Sequence, residues 1–261
     1  MMIIDTSAYV GHWPFRKVRH ATLPEVAETA AKNGITHMIV ASIQAIFYKD
    51  VMEGNLELAE ELRSYQGSVT VIPFAVVNPT YPAWEADMKR CINELGFRGI
   101  ELAPAYHNYS LRSAEAKAAF RLAGELGVPV RVQSEFENIR QHHWMDVTSG
   151  PSGDDFAELL ASCDKTCLIL CGYFPCHTGE RLQSAARAGA NVFFDMRRPE
   201  LYVDNGWTNS VADVGISHLC FGTLSPFTYI APSLLRLQLA PGTDADKQAI
   251  LSENLRAQLG L

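Results

Sequence analysis

Short apolar runs alternate with amphipathic segments along the whole 261-residue chain. The first run, Ile3-Ile4, leads into Asp5, Ser7 and Tyr9 and stops at Gly11. Period-two alternation along a strand places Asp5, Ser7 and Tyr9 on one face. Further apolar runs predict strands over 38–43, 69–77, 99–103, 129–134, 166–171, 191–195 and 219–223. Between them, a 3.6-residue periodicity predicts helices over 23–33, 55–65, 84–95, 113–126, 155–162 and 179–188. Gly34, Gly96, Gly127 and Gly189 follow four of these helices, where a C-terminal cap needs a left-handed residue. Two closing helices are expected at about 232–239 and 245–259, and the polar stretch 135–154 reads as the longest loop. Eight strands, each followed by helical or loop material, give the count of a (β/α)8 TIM barrel of the α/β class, one domain over 1–261. The main alternative, an open doubly wound sheet, lacks its Gly-x-Gly-x-x-Gly signature here.

Composition narrows the function classes. A 48% hydrophobic content suits one large core, and a formal charge of −7 argues against a nucleic-acid footprint. No apolar run is long enough for a membrane span, and the N-terminus lacks the order of a signal peptide. The expectation is a cytoplasmic protein whose six cysteines are reduced thiols and whose partner is a small-molecule substrate.

Barrel active sites lie at the C-terminal ends of the strands. Strand ends and the loops after them carry Tyr9, His12, Arg16, Tyr106, His107, Gln133, Glu135, Arg140, His142, His143, Asp195 and Arg197. Asp195, His107 and Glu135 are the candidate acid–base residues. Asp195 could equally be held by Arg197 or Arg198. The remaining nine are candidates for substrate binding, with Arg140 and its neighbours forming a lid over the site or an oligomer contact. Cys167 and Cys171 share a strand face but stand too far apart for one zinc, so they read as buried thiols. Glu101 and Arg131, on neighbouring strands, read as a buried structural pair.

The first strand, Ile3-Ile-Asp5 through Gly11, resembles that of the amidohydrolase superfamily, in its branch of TIM-barrel metal-dependent hydrolases and decarboxylases. Glu53-Gly-Asn55, Val76-Val-Asn-Pro79, Gly96 to Pro104, Phe221-Gly-Thr-Leu-Ser-Pro-Phe227 and Glu253-Asn-Leu255 are similar to further family segments in the same order. The resemblance implies metal ligands at positions held here by Ser7, Tyr9, Gln133, Cys171 and Leu224, none of which keeps the family residue. It therefore implies a hydrolase-like enzyme acting on a small carboxylated or cyclic, lactone-type substrate without the family metal, so that no cofactor is expected, and a homodimer by analogy. Two alternatives stay open. A divalent zinc or manganese could sit at a relocated site among His12, His107, His142, His143, Glu135 and Asp195, in a hydrolase or decarboxylase. Or the barrel binds a small molecule without turnover.

Overall fold

The computed structural model describes residues 1–138, 140, 142–147, 150–197 and 205–261. The apolar runs form eight parallel strands in sequential order. They are β1 (Ile4–Val10), β2 (His37–Ser42), β3 (Thr70–Val77), β4 (Gly99–Leu102), β5 (Val130–Gln133), β6 (Leu168–Cys171), β7 (Val192–Asp195) and β8 (Leu219–Cys220). The seam between β8 and β1 is tied by Thr6 N–H donating to the Phe221 carbonyl at 3.0 Å and Tyr9 N–H to the Ser225 carbonyl at 2.8 Å. The fold is the expected (β/α)8 barrel.

Helices cover the outside: α1 (Leu23–Lys32), α2 (Ile43–Phe47), α3 (Val51–Ser64), α4 (Trp84–Asn93), α5 (Ala114–Glu125), α6 (Gly153–Leu160), α7 (Glu180–Arg187), α8 (Gly206–Val214), α9 (Ile230–Leu239) and α10 (Asp244–Gln248). Helical turns continue from α10 to Leu259. Apolar periodicity does not predict α2 or α8. Thr208, Asn209, Ser210 and Val211 are poor helix formers, but Trp207, Ser210 and Val214 bury one face, and packing decides the conformation.

Two apolar layers follow from strand alternation. Met38, Val40, Val130, Val132, Leu168 and Leu170 face the helices. Ile4, Ile39, Phe74, Ile169, Phe193 and Cys220 fill the barrel interior. β1 departs from simple alternation. Its register against β2 shifts between Asp5 and Ala8: Asp5 lies beside outward-facing Met38, and Tyr9 beside inward-facing Ala41. This bulge corrects the expectation that Asp5, Ser7 and Tyr9 share a face, because one extra residue reverses the parity. Asp5 instead binds the chain after β8, accepting from Thr223 N–H at 2.9 Å and from Thr223 Oγ1 at 2.5 Å.

Candidate active site

A charged network lies in the barrel interior. Arg131 and Glu101 are adjacent in the β4–β5 register and form a salt bridge, both essentially inaccessible to water. Tyr9 hydroxyl donates to Glu101 Oε1 at 2.9 Å, and Arg131 Nη1 donates to the carbonyls of Thr6 at 2.8 Å and Ile39 at 3.2 Å. The guanidinium also stacks over the Tyr9 ring at 4.5 Å. Burial opposes the Arg131 charge, but Glu101 and Tyr9 hold it, and the net direction of its pKa is upward. The expected buried pair is present. Tyr9, expected at the substrate, lies wholly inside this network.

Above it, aromatic rings roof the barrel. Trp13 packs against Phe136 and Phe227, each with centroids 5.1 Å away, and against Phe15 at 5.1 Å and Phe47 at 5.4 Å. The loop after β5 is laid over this roof. His143 stacks on Phe15 at 5.4 Å, and Tyr106 hydroxyl donates to Asp146 Oδ1 at 3.0 Å. Burial, then the Asp146 charge, pushes the Tyr106 phenol up, so it stays a donor. Arg16 bridges from the first loop to Glu137, a carboxylate that is 9% exposed. Phe136, Glu137, His143 and Asp146 of the loop after β5 thus lie against the roof and the first loop. Arg140 is exposed and His142 half-buried along it, and Gln141 lies outside the described residues.

An opening remains at one side of the roof. A cleft of about 310 Å³ is lined by Glu135, Glu137, Arg197, Arg236, Thr228 and Ser233, with Leu224 and Phe227 at its apolar wall. Glu135 and Arg197 were expected at the site, whereas Glu137, Arg236 and Ser233 were not. Arg236 lies on α9 and Glu137 in the lid loop, and no local pattern marks either. Arg197 Nη2 donates to the Glu135 carbonyl at 3.2 Å, and Arg197 Nε stands 3.9 Å from Asp195 Oδ2. Asp195 Oδ1 accepts from Gly172 N–H at 2.7 Å. Fully buried at the end of β7, Asp195 thus holds the turn after β6 and faces the Arg197 guanidinium. Its other expected partner, Arg198, lies outside the described residues.

Other candidates lie elsewhere. His107 Nε2 bonds the Ile46 carbonyl at 3.0 Å, burial holds its pKa below the usual value, and it lines none of the clefts described here. Gln133 Nε2 donates to the Glu135 carbonyl at 2.9 Å, supporting the backbone that carries Glu135. His12 is exposed at the mouth. All six cysteines are free thiols, and Cys171 is fully buried, its pKa driven well up by desolvation. A neutral Cys171 within reach of the Thr6 carbonyl at 3.8 Å is not an activated nucleophile.

The residues at the family's ligand positions do not fit a divalent ion. Ser7 Oγ accepts from Leu224 N–H at 2.9 Å, Tyr9 serves Glu101, Cys171 is a neutral thiol and Leu224 offers no donor. The permanent cation Arg131, 4.5 Å from the Tyr9 ring, adds like charge where a divalent ion would have to sit. For the relocated site, no three His, Cys, Asp or Glu side chains gather to hold a metal among the described residues.

Residues 5–261 match the family model described as Amidohydrolase. No curated protein matches the chain. Solved structures share the fold at low identity. 2,6-Dihydroxybenzoate decarboxylase from Rhizobium is 14% identical with a TM-score of 0.73, covering 100% of this chain and 99% of that one. Dihydroxybenzoic acid decarboxylase from Polaromonas sp. JS666, with bound manganese and 2-nitroresorcinol, is 15% identical with a TM-score of 0.74, covering 100% and 97%. 5-Carboxyvanillate decarboxylase from Sphingomonas paucimobilis is 10% identical with a TM-score of 0.75, covering 100% and 99%.

Proposed function

The chain belongs to the amidohydrolase family, and from that premise we propose that the cleft beside the aromatic roof hydrolyses an ester-type C–O bond of a small carboxylated substrate, such as a lactone acid. The observation that carries this reading is the pairing of Glu135 and Glu137 with Arg197 and Arg236 around one cavity at the barrel mouth. Guanidinium forks bind carboxylates with two parallel hydrogen bonds, so Arg197 and Arg236 suit the substrate carboxylate and the developing oxyanion. Glu135 takes a proton from water as the water oxygen adds to the acyl carbon. When the C–O bond breaks, the same carboxyl returns the proton to the leaving alkoxide. Asp195 is a positioning residue that aims Arg197. His143 in the loop after β5, and Tyr106 bonded to Asp146 of the same loop, keep bulk water from the roof side. No step is routed through a metal, because the donor set at the family positions does not suit one.

The test is turnover of a panel of small lactone acids by chelator-treated protein, followed as acid release. Glu135→Gln is expected to lower kcat by roughly 10²–10⁴-fold while leaving circular dichroism unchanged. Turnover that vanishes with chelator and returns with manganese would overturn the reading, as would full activity in Glu135→Gln.

A further inference from the structure

A second cleft, about 410 Å³, opens between the loop after β1 and the start of α9. Arg16, Lys17, Arg19 and His20 line it, together with Thr228, Tyr229 and Ile230. Four basic side chains on one cleft stand out in a chain of net charge −7. Lys17 and Arg19 are exposed, and neither has a carboxylate partner among the described residues. The first turn of α9 receives no hydrogen bond from the Tyr229 side chain at its N-cap. The N–H groups of Ile230 and Ala231 therefore add the positive end of a helix to the same side.

We propose that this basic cleft binds a dianionic phosphate group, borne by the substrate of the neighbouring cleft. Two unpaired cations match the charge of a phosphate monoester. Its three terminal oxygens can take donors from several directions, which a planar carboxylate cannot. Phe227, Thr228 and Tyr229 line both clefts, so one ligand can span them. Only this last link, that the phosphate belongs to the substrate, rests on the function proposed above.

Calorimetric titration of the intact protein with inorganic phosphate and with phenyl phosphate tests the site. Saturable binding of both is expected, weakened at least about tenfold in the double variant Lys17→Ala/Arg19→Ala, which removes two charge-assisted contacts. Lys89→Ala, an exposed change on α4, keeps the wild-type affinity. Phenyl phosphate binding tighter than inorganic phosphate identifies a substrate-borne group, and equal affinities identify free phosphate as the ligand. Absence of saturable binding, or equal affinity in the double variant, overturns the site. Phosphate binding that persists while no lactone acid is turned over would sink the hydrolase reading and leave this site standing. The reverse result would do the opposite.

Discussion

Asp5 shows how much one side chain carries that its local sequence does not reveal. Burial pushes its pKa up to about 6 from 3.8, against hydrogen bonds from Thr223 and Ser7 that pull it down. A raised carboxylate pKa means that the folded state binds more protons than the unfolded chain between about pH 4 and 6. The contribution of Asp5 to stability is therefore full below pH 4 and lost as pH rises through 6. Relative to wild type, Asp5→Asn is expected to gain about 3 kcal/mol across that window, at ~1.4 kcal/mol per pKa unit. Urea midpoints of the two proteins from pH 3.5 to 7 measure the difference, and parallel profiles would refute it. Asp5 was legible as the head of a strand motif. Its partner Thr223 was not, because a contact 218 positions away leaves no trace in local periodicity.

At the level of elements, short apolar runs located all eight strands, because a strand buried on both faces must be apolar over its length. It was weakest where packing overrides propensity, as in α8, and where one inserted residue changes parity, as in the β1 bulge. The short α2 shows the same limit. Its position is set by contact with α3, where Gly54 faces it so closely that an added Cβ would come within 2.5 Å of the Ala45 backbone. The next residue of α3, Asn55, clamps β3 by donating to the Val76 carbonyl at 2.8 Å and accepting from Val76 N–H at 2.9 Å. Because α3 is pinned at Asn55, it has little room to retreat from α2. Gly54→Ala is therefore expected to destabilise by about 1–3 kcal/mol despite the better helix propensity of alanine. A chemical unfolding curve at or above wild-type stability would contradict that.

Across the whole molecule, Arg131 on β5 reaches β1, β2 and β4 through Thr6, Ile39 and Glu101. A guanidinium held this way ties half the barrel wall from inside. Glu101→Gln strands that charge and is expected to cost about 3–5 kcal/mol. Replacing both partners, Glu101→Leu with Arg131→Met, is expected to recover most of the loss, because neither charge of the pair is then left stranded. Denaturant unfolding of the three proteins checks the order, which a double variant no better than Glu101→Gln would break. The candidate site was legible only in part at this scale. Glu135, Asp195 and Arg197 stand at strand ends, where barrel geometry predicts them. Glu137 and Arg236 were hidden, since the lid path and the approach of α9 are properties of the closed barrel. The bridge between Arg16 and Glu137 joins the lining of one cleft to that of the other. The two clefts therefore form one linked system. An anion that draws Arg16 toward the basic side releases the Glu137 carboxylate into the other. By thermodynamic reciprocity, whatever stabilises the released carboxylate must tighten the anion by the same factor.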